Sequence, residues 1–297
     1  MKDEDLGKSW LETLEHQRRL SGHTLSNYSR ALDLLFKMKE SIGLRDLETA
    51  QVRRFVARLH AAGLSGRTLA LTLSAWRGLF NWLARHRGFP ANPAQGVRAP
   101  KSPRRLPKAL SVEQVQQLLE APATETPEAL RDRAMFELLY SSGLRLAELV
   151  ALDADDGRLD LKQAEVTVTG KGSKTRTVPV GSRARDALRE WLKARAQLAA
   201  SREHALFVGA RGKRIAPGTV QARLRTWAKQ QGLGASVHPH MLRHSFASHV
   251  LQSSQDLRAV QEMLGHASIS TTQVYTHLDF QALAKVYDAA HPRARKK

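Results

Sequence analysis

The chain has 297 residues, of which 42% are hydrophobic, and this length suffices for two domains with separate cores. Lys and Arg number 47 against 28 Asp and Glu, and the resulting net charge of +19 indicates a polyanionic partner such as nucleic acid. The absence of cysteine excludes disulfides, thiolate metal sites and a cysteine nucleophile. No apolar run approaches the roughly 18 residues of a membrane span, and the N-terminus is polar, so we expect a cytoplasmic protein without membrane insertion.

Apolar periodicity predicts helices throughout the first part of the chain. Two are expected around residues 10–20 and 25–39, and a third begins near Thr49. The clearest helix runs from Arg67 to Arg87, and Gly88 is placed to end it. Its buried stripe, at spacings of three and four, consists of Leu69, Leu73, Trp76, Phe80 and Leu83.

The segment from Phe89 to Leu110 is predicted to be a linker, because it holds five of the eleven prolines and has no helical or strand period. It divides the chain into a helical domain over 1–95, a basic linker over 96–106 and a second domain over 107–297. The linker is either an inert tether or a contact with phosphates. Its candidate phosphate contacts are Lys101, Arg104, Arg105 and Lys108.

The second domain is predicted to be mainly helical with one small hairpin. Ser111 is followed by Gln114 in a capping-box spacing, and Thr126 with Pro127 opens the next helix. The alternation in AEVTVTG and in TRTVPV, around a KGSK turn, predicts two antiparallel strands. Four further helices are expected at Ser182–Ala199, Pro217–Gln231, Pro239–Gln252 and Asp256–Leu264.

The segment VHPHMLRHSFASH places His240 and Arg243 three residues apart, on one face at the start of a helix. Such a pair can hold a phosphate, although a solvated basic face has the same pattern. His240 and His244 also have a spacing that chelates zinc, but no third ligand is evident. Taken singly, Lys171 is an ordinary turn lysine and Tyr275 an ordinary packing residue.

Five motifs in order, GLRLAEL, GKGSK, HMLRH, LGH and TTQVYTHLDF, resemble the tyrosine recombinase, or phage integrase, family. The resemblance implies an N-terminal helical SAM-like core-binding domain and an α+β catalytic domain with a small antiparallel sheet, closing on DNA as a C-shaped clamp. Met241 departs from the family, in which a basic residue often stands there. The implied active-site set is Arg145, Lys171, His240, Arg243, His266 and Tyr275.

The resemblance also implies a mechanism. Arg145 and Arg243 would hold the non-bridging oxygens of a phosphodiester, whose charge grows in the transition state. Tyr275 would attack with His240 as general base, and Lys171 would protonate the departing 5′ oxygen. His266 would support the phosphate or the proton transfers. A 3′-phosphotyrosine conserves the energy of the linkage, so no cofactor, metal or ATP is expected.

The closing stretch, from YTHLDF to RKK, is most similar to the XerC group of this family. That similarity implies chromosome-dimer resolution at a dif-like inverted repeat, with a XerD-like recombinase in a heterotetramer and an FtsK-like motor as activator. The alternatives are a plasmid or phage integrase, a topoisomerase of the same chemistry, and a catalytically silent architectural DNA-binding protein. The tail would dock either on a neighbouring protomer or on its own domain, through Phe280, Leu283, Val286 and Tyr287.

Overall fold

The computed structural model describes residues 2–18, 20–101, 109–120, 126–170, 174–233, 237–265 and 277–294, with the backbone alone over 277–282. The chain separates into two compact units, Met1–Arg105 and Leu106–Lys297. Each unit buries its own hydrophobic core. No helix in the described part of the chain is long and apolar enough to span a bilayer.

The N-terminal unit is helical over its described residues, with a short 3-10 turn at Leu44–Asp46. Its helices are α1 (Asp3–His16), α2 (Gly22–Lys39), α3 (Thr49–Ala61) and α4 (Gly66–Arg87). All five residues of the predicted stripe on α4 are buried, and Gly88 ends the helix in the left-handed conformation. Trp76, at the centre of that stripe, donates its indole N–H to the carbonyl of Ala31 on α2 at 2.7 Å.

The start of the proline-rich segment packs against the N-terminal unit. Residues 89–101 form neither helix nor strand, yet Ala94 and Val97 are buried in this unit's core. Arg77 on α4 fixes both positions by donating to the carbonyl oxygens of Ala94 at 3.3 Å and Val97 at 3.0 Å. The predicted linker is therefore anchored where it leaves the helical unit.

The second unit is mainly helical over its described residues. The capping box at Ser111 and the Thr126 cap followed by Pro127 are present as predicted. In chain order the helices are α5 (Val112–Leu119), α6 (Pro127–Ser141), α7 (Leu146–Val150), α8 (Ser182–Arg195), α9 (Pro217–Gln230), α10 (Pro239–Ser254), α11 (Leu257–Leu264) and α12 (His277–Ala290).

The sheet has one strand more than the predicted hairpin. β2 (Glu165–Thr169) pairs with β3 (Thr175–Pro179) in an antiparallel register that places Val168 opposite Arg176. The added strand, β1 (Leu159–Asp160), pairs with the outer edge of β2 in the order β1-β2-β3. Two residues are too few to produce an alternating pattern, so the sequence gives no strand signal there. The predicted architecture, a helical N-terminal domain plus a mainly helical second domain with a small antiparallel sheet, is confirmed.

The C-terminal helix α12 packs on its own unit, the second of the two. Leu283 and Tyr287 are buried in that unit's core, and Val286 packs partly buried against it, whereas the Phe280 side chain lies outside the described part. The Tyr287 hydroxyl shares a 2.8 Å hydrogen bond with Ser141 Oγ on α6. Docking of this face on a neighbouring protomer remains a prediction.

His291 follows α12 and is buried among aromatic rings. Its ring stacks on Tyr287 at 4.7 Å and lies 4.9 Å from Tyr140, and Nδ1 accepts from the backbone N–H of Arg293 at 3.1 Å. Burial lowers the pKa of His291 to about 3, so this imidazole is neutral at physiological pH.

The stability of the second unit should therefore fall on acidification. Between the ordinary histidine pKa near 6.5 and the folded value near 3, the unfolded chain binds a proton that the folded chain excludes. His291 then contributes a loss of roughly 1.4 kcal/mol per pH unit as the pH falls through this window. Urea unfolding at pH 7.5 and pH 5 should show a smaller difference in His291→Phe than in wild type. If the difference in unfolding free energy between the two pH values is the same in His291→Phe as in wild type, His291 is not the source of the pH dependence. The control is His23→Gln, which replaces an exposed histidine.

Candidate active site

Arg145 is the N-terminal cap of the short helix α7. The chain reaches it through Gly143, which has φ of +56° and whose added Cβ would lie 2.5 Å from the Phe246 ring, so only glycine fits this turn. The Arg145 backbone N–H donates to Glu148 Oε2 at 2.7 Å, and its Nη1 donates to Glu148 Oε1 at 2.8 Å. The Arg145 side chain remains 40% exposed, which leaves it accessible to a ligand.

Arg243 lies on α10 and is 6% exposed. Its Nη1 donates to the Gly143 carbonyl and its Nη2 to the Leu264 carbonyl, which fixes the plane of the guanidinium. Burial first, and then the nearby charges of Arg145 and Arg176, lower the pKa of Arg243 to about 10. Arg243 is still charged at neutral pH, and a bound anion would stabilise that charge.

Three arginines donate hydrogen bonds to three consecutive carbonyl groups at the C-terminal end of α11. Arg176 Nε donates to Met263 O at 2.9 Å, Arg243 Nη2 to Leu264 O at 2.6 Å, and Arg145 Nη2 to Gly265 O at 3.3 Å. These carbonyls belong to the last turn of the helix, which leaves such groups without intrahelical partners. The three guanidinium groups therefore converge on one point, immediately before residue 266.

One carboxylate holds this arginine cluster together. Glu148 is buried and accepts from Arg145 and, through both oxygens, from Arg176 at 2.7 and 2.9 Å. Burial alone would raise the pKa of Glu148, but the bonds and charges of Arg176 and Arg145 outweigh it and lower that pKa. The ionised Glu148 neutralises only one of three positive charges. The cluster thus carries excess positive charge, an arrangement that can hold an anion.

His240 occupies the first turn of α10, three residues before Arg243, and is exposed. Its ring lies 5.6 Å from the ring of His244 and 6.5 Å from that of His238. His238 caps the helix by accepting from the backbone N–H of Met241 through Nδ1, so that nitrogen is already engaged. Among the described residues, no group of three or more His, Asp or Glu side chains is arranged to hold a metal ion.

The remaining predicted site residues fall partly outside the described residues. Lys101 is described, is exposed and belongs to the N-terminal unit. The structure also describes the flanks of two site segments: Gly170 N–H donates to Lys174 O at 2.8 Å, and α12 begins at His277. The predicted site residues that lie outside the described residues are Arg104, Arg105, Lys108, Lys171, His266 and Tyr275.

Sequence reasoning missed Glu148 and Arg176, although each leaves a signal. Glu148 stands three residues after Arg145 in RLAE, the spacing at which a carboxylate caps the start of its own helix. Arg176 and Val178 lie two residues apart on the same, core-facing side of β3, and both are buried. A charged residue in a buried strand register requires a buried partner of opposite charge.

Two family profiles cover most of the chain. The profile described as Phage integrase family matches residues 108–282, and that described as Phage integrase, N-terminal SAM-like domain matches residues 8–87. The chain belongs to the phage integrase family of tyrosine recombinases. It is a XerC-like site-specific recombinase, an enzyme that breaks and rejoins DNA and therefore binds DNA.

Curated relatives agree along nearly the full length. Tyrosine recombinase XerC 1 of Ralstonia nicotianae is 56% identical over 97% of this chain and 94% of its own. Tyrosine recombinase XerC of Pseudomonas aeruginosa PAO1 is 53% identical over 97% and 95%. The solved XerH site-specific recombinase bound to palindromic difH substrate is similar in fold, with a TM-score of 0.70 and 23% identity over 95% of this chain and 84% of that one.

Proposed function

We propose that this recombinase cuts DNA through Tyr275, which forms a covalent 3′-phosphotyrosine, and rejoins it to a second strand. The observation that supports this proposal is the arginine cluster, in which two predicted site residues, Arg145 and Arg243, converge on the end of α11 with excess positive charge. A phosphodiester gains negative charge on its non-bridging oxygens as it becomes pentavalent. Fixed guanidinium groups stabilise that state more than the ground state.

The other site residues are assigned to proton transfer. A tyrosine with an ordinary pKa of about 10 needs a base, and His240, exposed at the start of the helix that carries Arg243, is assigned that role. Lys171 is assigned as the acid that protonates the 5′ oxygen, and His266 assists at the phosphate. The second strand's 5′ hydroxyl attacks the phosphotyrosine and releases Tyr275, so no external energy source enters the balance.

The proposed biological role follows the XerC relatives. The recombinase resolves chromosome dimers at a dif-like inverted repeat in the cytoplasm, during chromosome partition and cell division. A XerD-like recombinase completes the heterotetramer, and an FtsK-like motor activates it. Lys101, Arg104, Arg105 and Lys108 are proposed to contact the DNA backbone, since their positive charges are clustered in the proline-rich segment at the boundary of the two units.

Covalent trapping tests the proposed function. The full-length protein is incubated with a labelled dif-like duplex that is nicked close to the cleavage position, in the presence of a XerD-like partner with its tyrosine replaced by phenylalanine. Loss of the short fragment beyond the nick prevents rejoining, so the phosphotyrosine should accumulate as a slow band on a denaturing gel. Peptide mapping of that band should place the DNA on Tyr275.

Two results would contradict the proposal. The first is the absence of a covalent band under conditions in which this protein binds the duplex and a control recombinase cleaves its own site. The second is a band whose DNA maps to another residue. The first result would assign the chain a DNA-binding role alone, and the second would move the nucleophile.

A further inference from the structure

We infer that Arg176 is a positioning residue, which holds the guanidinium of Arg145 and the end of α11 in register for the scissile phosphate. This inference rests on the proposed function, because it assigns Arg176 a part in the phosphate site described above. Arg176 is 6% exposed, and all three of its side-chain nitrogens donate to protein groups, whereas Arg243 donates to the two carbonyls through its terminal nitrogens alone. It therefore acts through Arg145 and not by direct contact with DNA.

The contacts of Arg176 join three separate elements. Arg176 lies on β3, its paired N–H groups hold Glu148 on α7, and its Nε holds the carbonyl of Met263 on α11. Glu148 in turn holds the backbone and the side chain of Arg145. Removal of Arg176 would thus release both anchors of the Arg145 guanidinium, the carboxylate on one side and the α11 carbonyl on the other.

Close packing makes this arrangement specific to its place. An added Cβ on Gly265 would lie 2.9 Å from Arg176 Cδ, and one on Gly170 would lie 3.6 Å from both Arg145 Nη1 and Glu148 Oε1. The hairpin and the end of α11 therefore pack directly against the Arg176–Glu148 pair, so a shift of the pair would displace both. Interiors packed at this density transmit small displacements to their neighbours.

Lysine cannot reproduce the geometry of Arg176. A guanidinium presents its donors as a planar fork, which allows a two-point bond to Glu148 and a third bond to Met263 at once. An ammonium keeps the charge, so Glu148 stays ionised and compensated, but it cannot fix the direction of the carboxylate. Arg176→Lys therefore separates positioning from charge compensation.

The test measures single-turnover formation of the covalent complex by full-length protein on a nicked duplex, with two scissile groups. One substrate carries the natural phosphodiester, and the other a methylphosphonate, whose neutral group needs no arginine to balance its charge. Arg176→Lys should bind the duplex as wild type does but form the complex about 100-fold more slowly on the phosphodiester. On the methylphosphonate the deficit should shrink by about tenfold or more, because Arg145 no longer has a full charge to stabilise.

Arg131→Lys is the matched control. Arg131 is equally buried, donates to Asp132 at 2.7 and 2.9 Å and to the carbonyl of Val208 at 3.0 Å, and belongs to a different part of the same unit. Arg131→Lys should lose about as much thermal stability as Arg176→Lys, with no change in the ratio of the rates on the two substrates. Should Arg176→Lys fold poorly, the double variant Arg176→Gln with Glu148→Gln removes both buried charges together and should show the same ratio.

Three outcomes overturn the inference. One is a phosphodiester rate in Arg176→Lys equal to that of wild type. Another is an equal deficit on the two substrates, which would indicate a structural role alone. The third is the same change of ratio in Arg131→Lys. If wild type itself forms no complex on either substrate, the proposed function fails and the inference falls with it, a result distinct from the other three.

Discussion

The Tyr275→Phe variant should bind its duplex with wild-type affinity and form no covalent complex with it. Phenylalanine keeps the aromatic ring but has no oxygen to attack phosphorus, and no other tyrosine is suited to replace it. Tyr140 and Tyr287 are buried, and burial raises the pKa of each above its ordinary value. Tyr28 belongs to the N-terminal unit, where its ring stacks on Trp10 at 5.6 Å.

The measurement is a denaturing gel of end-labelled nicked duplex, paired with a gel-shift titration of the same samples. Tyr28→Phe is the control for a lost hydroxyl, and its covalent band should equal that of wild type. Recombination on an intact duplex should fall below detection in Tyr275→Phe. A band that persists in this variant would show that the nucleophile is another residue.

The sequence predicts those features that depend on neighbours in the chain. The cap at Ser111, the cap at Thr126 and the left-handed end of α4 at Gly88 are local, and all three are found where the pattern places them. The approach of Arg145 to Arg243 is not local. Its basis in the sequence was the order of the family motifs, and the structure accounts for it through Gly143, the carbonyl partner of Arg243 two residues before Arg145.

Contacts between distant segments explain what the sequence could not provide. Glu148 meets Arg176 across 28 residues, and Arg176 meets Met263 across 87. Neither pairing has a periodic signature, because a strand pattern reports only that Arg176 is buried and a capping spacing only that Glu148 faces its own helix. For the tail, an apolar stripe predicts that one face of the helix is buried, but it does not determine whether that face packs on its own domain or on a neighbouring protomer.

The Arg243→Lys variant should lose about 10²–10³ of the single-turnover cleavage rate, roughly 2.7–4 kcal/mol of transition-state stabilisation. Arg243 donates to the carbonyls of Gly143 and Leu264 through its two terminal nitrogens, and a guanidinium has five N–H groups in all. Three donors thus remain for an anion after both carbonyls are satisfied. Lysine has three donors on a single nitrogen and no planar fork, so with both carbonyls satisfied it could offer the phosphate at most one hydrogen bond in place of the forked contact.

This substitution separates transition-state stabilisation from overall attraction, since the positive charge is preserved. Affinity for the duplex and its dependence on salt should change little, because the phosphate contacts that dominate binding are distributed over a chain of charge +19. The loss should therefore appear in the rate of covalent-complex formation at saturating protein. A higher Kd for the duplex with an unchanged rate of covalent-complex formation would instead assign Arg243 to DNA binding. Arg223→Lys, which exchanges a half-exposed arginine paired with Asp132, controls for a general effect of the Arg-to-Lys change.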